Sequence, residues 1–247
     1  MQTWPFSAVD CMAKETLVLL PGMMCDQRLF EPQIYALEND YDIFIPKLDV
    51  PASIDGMAQR ILDEIEIPAF NLLGLSMGGI VAMSMVGLAP ERVLRLALLD
   101  TNHRANSCEK FVIRNRQILD VREGRLREVI TNEMKPNYLA TVNRKNQELL
   151  GLLIDMALDS GDEIFINQSL ALRDRKDQTI ALCNYVGPAL VLCGEEDRLC
   201  LPILHEEMAE LLPQAVFRKI KNCGHISTLE QPGAVIVELK NWLNVSL

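Results

Sequence analysis

The sequence predicts an α/β fold, a mostly parallel sheet with helices on both faces and one inserted helical cap. Three observations lead there. Six short apolar runs alternate with segments of helical spacing, the alternation breaks once between Asp100 and Ala189, and one apolar run ends in a serine fenced by glycines. Runs that are apolar throughout, rather than alternately polar and apolar, belong to strands buried on both faces.

The elements follow in order. Thr16–Leu20 reads as a buried strand that Pro21-Gly22 ends in a turn, and a helix is expected from Glu31 to Glu38. Asp42–Pro46 is a second strand. Ser53–Glu66 has helical spacing at Met57, Ile61, Leu62 and Ile65, with Ser53 placed as N-cap. Phe70–Leu75 is the third strand, and Ile80–Leu88 is apolar on nearly all sides, as a helix buried at the centre would be. Val93–Leu99 and Ala189–Cys193 are further strands. Pro202 opens a helix toward Leu212, Ala215–Ile220 forms the last strand, and Val235–Leu243 the closing helix.

Between Asp100 and Ala189 strand signals disappear. A stretch of this length is too long for an ordinary connection, so residues 103–183 are assigned to a helical cap, inserted in a core made of 1–102 and 184–247. Its first part, Arg104–Lys145, holds ten basic and five acidic residues, whereas Asn146–Cys183 holds three basic and seven acidic. Such charges coat solvated helix faces in one reading. In the sharper reading one of Arg114, Arg116, Arg122 or Arg125 faces the cleft and receives an anionic substrate.

Composition narrows the function classes. A net charge of −10 argues against nucleic-acid partners. The seven cysteines are irregularly spaced and lack the paired spacing of a zinc site, which fits a reducing cytoplasm. Met1–Phe6 shows no basic region leading into an apolar core, and no stretch is apolar for long enough to span a bilayer. The expectation is a cytoplasmic protein without a membrane partner, acting on a small molecule; the oligomeric state is left open.

The chemistry concentrates at Gly74-Leu75-Ser76-Met77-Gly78. A serine on so sharp a strand-to-helix turn needs small residues two before and two after it, and the turn exposes its hydroxyl beside backbone N–H groups at a helix start. A serine also needs a base. Of three histidines, His225 follows the last strand and is preferred; His205 sits within a helix and reads as exposed, and His103 lies at the cap entrance, where it lines the cleft without being the base. Asp100 and Asp197 both follow strands. Asp197 is preferred because Ser76, Asp197 and His225 follow one known chain order of the triad. Met23, Met24 and Met77 are either core filler or an adaptable acyl pocket.

Four motifs together resemble the α/β-hydrolase superfamily over about Thr16–Leu243: Leu20-Pro21-Gly22-Met23, Gly74–Gly79, Gly194–Asp197 with Pro202, and Gly224-His225 followed by Glu230 and Pro232. The resemblance implies Ser76 as nucleophile, His225 as general base, Asp197 as its partner, and an oxyanion hole from the N–H groups of Met23 and Met77. Met24 and His103 are the candidate substrate contacts. The short capped form looks most like the group with 3-oxoadipate enol-lactonases, small carboxylesterases and carbon–carbon bond hydrolases. The implied activity is hydrolysis of a small carboxylic ester or lactone through an acyl-enzyme, with no metal and no cofactor. Carbon–carbon bond hydrolysis on the same triad is the nearest alternative, and a ligand sensor without turnover is the alternative of another class. Two departures stand out: Pro21 occupies a place where many members carry histidine, and only about fifteen residues precede the first strand, so the antiparallel strands that often begin this fold are shortened or absent.

Overall fold

Successive residues of a strand point to opposite faces, so an apolar run buries both, as the central strands do here, while the edge strands Tyr41–Phe44 and Ala215–Ile220 are partly exposed. The computed structural model describes residues 14–246 and places the six runs side by side. Met1–Phe6 and Cys11 lie outside the described residues. The strands are β1 (Glu15–Leu20), β2 (Tyr41–Phe44), β3 (Phe70–Leu75), β4 (Val93–Leu99), β5 (Ala189–Gly194) and β6 (Ala215–Ile220). They form one sheet in the order β2-β1-β3-β4-β5-β6. Every pairing is parallel.

The helices are α1 (Glu31–Leu37), α2 (Ile54–Glu64), α3 (Met77–Leu88), α4 (Cys108–Arg122), α5 (Leu126–Glu128), α6 (Gln147–Arg173), α7 (Thr179–Asn184), α8 (Pro202–Leu211), α9 (Ser227–Glu230) and α10 (Pro232–Leu243). Alternation along the strands divides the core in two. Val18, Leu20, Leu72, Leu98 and Val191 pack with Met57 and Ile61 of α2, Val81 of α3 and Met208 of α8. Leu17, Leu19, Leu73, Leu99 and Leu190 pack on the other face with Leu37 of α1 and with Val235 and Leu239 of α10. Ser53 caps α2 as expected, accepting from the Gly56 N–H at 3.3 Å. Helix α3 starts at Met77, three residues earlier than its apolar run suggested, because the chain turns into it directly at Ser76.

Between β4 and β5 the chain is helical. Helix α6 breaks at Gly161, whose φ of 81° lies in the left-handed region that favours glycine. Val121, Ile130, Phe165 and Leu172 of this region belong to the same cluster as the α2–α3 face of the sheet, whereas Leu139, Leu149, Leu153 and Met156 belong to the other cluster. Helix α7 lies on α3, with Leu182 and Tyr185 buried. At the amino edge of the sheet the buried Arg95 donates to Glu15, Asn71 and the Val245 carbonyl, a closing network that the apolar pattern did not disclose. Among the described residues no helix is long and apolar enough to cross a membrane.

Candidate active site

In a parallel sheet all strands end on one edge, so loops after β3, β4, β5 and β6 meet there. Ser76 stands at the end of β3 with φ 55° and ψ −114°, a left-handed backbone that costs a non-glycine residue about 1–3 kcal/mol. Its N–H donates to Leu99 O at 2.9 Å, and its carbonyl accepts from Thr101 Oγ1 at 2.7 Å. The glycines make the turn possible by close approach. A Cβ on Gly78 would lie 2.0 Å from Leu20 O, and one on Gly74 would lie 2.3 Å from Gly78 O.

His225 Nε2 lies 2.8 Å from Ser76 Oγ, and His225 Nδ1 lies 2.8 Å from Asp197 Oδ2. Because an ionised carboxylate only accepts, Nδ1 carries the proton and Nε2 accepts from the serine hydroxyl. Asp197 Oδ1 accepts from the N–H groups of Leu199 and Cys200 at 2.8 and 3.0 Å. Burial pushes Asp197 upward, but the imidazole beside it and these N–H groups outweigh burial and hold it below the ordinary carboxylate range. For His225 burial acts downward, while the charge and hydrogen bond of Asp197 act upward and prevail, so its pKa is raised. The His225 loop is held by the cap. His225 N–H donates to Tyr138 O at 2.7 Å, the Tyr138 ring meets the imidazole edge-on with centroids 5.3 Å apart, and Glu230 accepts from the N–H groups of Gly224 and Ala140.

The two remaining candidates are placed differently. Asp100, with φ 47°, accepts from Gly194 N–H through Oδ1 and from Ser227 N–H through Oδ2, both at 3.0 Å. It therefore ties the loop bearing Asp197 to the loop bearing His225 without bonding the imidazole. Burial, then the charge of Asp197, pushes its pKa up to about 7. His205 was expected to be exposed and is fully buried. Its Nε2 accepts from Thr101 N–H at 2.9 Å while Nδ1 faces Leu201 O at 3.3 Å, and burial pushes its pKa down to about 4. The signal was helical phase, since His205 and Met208 share the buried face of α8, which Leu212 continues just past its end.

A cleft of about 200 Å³ opens over Ser76 and His225. Met23 and Met77 line it. Met77 is the first residue of α3, so its N–H has no partner within the helix, and Met23 N–H has no acceptor among the described residues. Both amides can face a developing oxyanion. Met24 is not in this cleft: its side chain is buried in the core, and its N–H donates to Gln168 Oε1 at 2.8 Å. Gln168 Nε2 in turn donates to Leu48 O at 2.7 Å, so a cap side chain fastens the loop after Pro21 that lacks histidine. His103 is also buried and is not part of the cleft wall; its carbonyl accepts from Gln178 N–H.

Lys110, Ile113, Arg114 and Gln117 line the cleft as one face of α4, spaced three and four residues apart. Of the four arginines considered, Arg114 faces it. Arg116 pairs with Glu133 and Asp120, and Arg125 with Asp120 and Glu123, on the exposed side. Arg175 also lines the cleft, a residue sequence reading did not single out, because it joins the site only through the return of α6. A larger cavity of about 430 Å³, walled by Pro21, Arg28, Lys47, Asp159 and Gln168, contains none of Ser76, Asp197 and His225, so size does not mark the chemistry. Asp197, Cys200 and His225 bring potential metal donors within 4.8 Å of one another. Both imidazole nitrogens there are already engaged, by Ser76 and by Asp197.

Comparison with known proteins agrees with this architecture. Residues 46–232 match the α/β hydrolase fold family model. An esterase from Thermogutta terrifontis superposes with a TM-score of 0.86 at 27% identity, covering 94% of this chain and 90% of that one. The enol-lactonase of Burkholderia xenovorans LB400 superposes with a TM-score of 0.83 at 22% identity, covering 94% and 92%. A putative non-heme bromoperoxidase, BpoC, of Mycobacterium tuberculosis is 25% identical over 185 residues, 71% of this chain and 68% of its own. With a parallel sheet whose carboxyl edge gathers serine, histidine and aspartate, and a family match spanning most of its length, the chain belongs to the α/β-hydrolase fold family.

Proposed function

We propose that the protein is a serine hydrolase of small carboxylic esters or lactones. The observation that carries this reading is the unbroken relay from Ser76 Oγ through His225 to Asp197, with both links at 2.8 Å. Ser76 attacks the carbonyl while Nε2 takes its proton, and the imidazolium so formed is stabilised by Asp197. The tetrahedral oxyanion is received by the N–H groups of Met23 and Met77, each donor of this kind being worth about 3–4 kcal/mol to the transition state. His225 returns the proton to the leaving oxygen. Water, activated by the same imidazole, then releases the acid from Ser76. A cleft of about 200 Å³ suits a small molecule rather than a polymer chain.

A fluorophosphonate probe tests this reading, because it reacts only with an activated serine. The wild-type protein is expected to be labelled at Ser76, and Ser76→Ala to lose both labelling and ester turnover. Labelling at another serine, or labelling that survives the substitution, overturns the assignment.

A further inference from the structure

Arg114 is a charged group with almost nothing to bond among the described residues. Its Nε is buried without a hydrogen-bond partner, and one Nη reaches only the thioether of Met23, a weak acceptor, at 3.5 Å. Among the described residues no carboxylate lies in salt-bridge range of it, whereas Arg28 and Arg116, outside this cleft, each pair with two. Burial, reinforced by the neighbouring Arg175, pushes its pKa down to about 10, which still leaves it charged at neutral pH. Arg175 directs one N–H of each nitrogen to Arg104 O, Leu172 O and Asn102 Oδ1, and it adds positive charge beside Arg114. Glu133 is the one carboxylate in the described wall of this cleft, and Arg116 and Gln117 already occupy it. Arg114 as a whole is half-buried with its Nε fully covered, and a cation drawn partly out of water without a partner is costly unless a bound group supplies the counter-charge.

We propose that the cleft takes esters or lactones whose acyl part ends in a carboxylate, and that Arg114 receives that carboxylate. The inference rests on the hydrolase reading of the cleft and deepens it. Arg114 leans on Met23, which lines the cleft beside Ser76 and is the proposed oxyanion donor, so a carboxylate held there sits a short chain away from the carbonyl that Ser76 attacks. A guanidinium offers two parallel N–H donors to a carboxylate, a geometry that a lysine cannot copy. Arg114 thus sets specificity, and the Ser76–His225 pair performs the bond chemistry.

The test compares the p-nitrophenyl hemiester of glutaric acid with p-nitrophenyl valerate, a neutral ester of similar length. Wild type is expected to favour the hemiester in kcat/KM by about 10- to 100-fold, the span of a hydrogen bond to a charged group. Arg114→Met brings that ratio to about one or below, chiefly through the KM of the hemiester, and Arg114→Lys leaves an intermediate ratio. A wild-type ratio of one or less, or a ratio unmoved in both variants, overturns the proposal. Fluorophosphonate labelling of the same preparations separates the two levels: labelled Ser76 without charge preference defeats the carboxylate proposal alone. If neither labelling nor turnover occurs, the serine reading fails, and calorimetric titration with glutarate decides this proposal. Binding lost in Arg114→Met supports it, and binding absent from wild type or unchanged in the variant refutes it.

Discussion

His225 is pulled two ways, downward by burial and upward by Asp197, and the upward pull prevails. Only the neutral imidazole can take the serine proton. Hydrolysis should therefore fall as pH drops through a midpoint above 6.5, the ordinary histidine value. Asp197→Asn removes the upward pull and leaves burial, so that limb should move to lower pH while kcat falls by about 10³–10⁴. Stopped or steady-state pH profiles of both proteins check this, and a limb that stays in place contradicts the coupling. His205 makes the opposite prediction for stability. Its folded pKa of about 4 lies below the unfolded 6.5, so between those values the unfolded chain binds the extra proton and stability rises with pH. On the order of 3 kcal/mol is thus present above pH 6.5 and lost as pH falls to about 4. His205→Gln should flatten that part of the pH dependence of urea unfolding; an unaltered slope would show that other groups cause it.

At the scale of elements, the turn from β3 into α3 is the most constrained feature. Gly78→Ala sets a Cβ 2.0 Å from Leu20 O and must force α3 away from β1. A loss of about 1–3 kcal/mol in unfolding free energy is expected, and displacement of Ser76 by even 1 Å should lower kcat/KM by about 10²-fold. Urea titration and ester kinetics on the variant measure both, and a fully stable, fully active Gly78→Ala would contradict the close approach. The same turn was legible in sequence because glycine, serine and glycine at fixed spacing have few other uses. The central strands β1, β3, β4 and β5 were legible too as short, largely apolar runs between turn signals, whereas the edge strands β2 and β6 carry Asp42, Arg218 and Lys219, are partly exposed, and were placed by their alternation with helices. What escaped was set by phase and by distant partners. The short local context of His205, with Glu206 and Glu207 after it, suggested water, although the stripe with Met208 and Leu212 buries it. Choosing Arg114 among four arginines required knowing where α4 begins, and Met24 parted from Met23 because a left-handed residue at 24 turns consecutive side chains apart. Gln168 and Arg175 reach the site only by the folding back of α6, which no local pattern records.

Over the whole molecule, an acidic chain with a net charge of −10 places Lys110, Arg114 and Arg175 together over one serine. The sheet gathers the loops bearing Ser76, Asp197 and His225 at its carboxyl edge, Asp100 locks the latter two together, and the cap fastens the His225 loop through Tyr138 and Ala140 and the loop after β1 through Gln168. The cap contributes to both apolar clusters of the sheet, so the cleft between them is part of the fold rather than an appended lid. In the proposed function all of this serves one event, transfer of an acyl group to Ser76. Rapid acid quench during turnover of a slow ester, followed by peptide mapping, reads that event directly. The account predicts an acyl group on the peptide bearing Ser76, formed in a burst before steady turnover. Full turnover without a covalent intermediate, or an acyl group on any other residue, would contradict it.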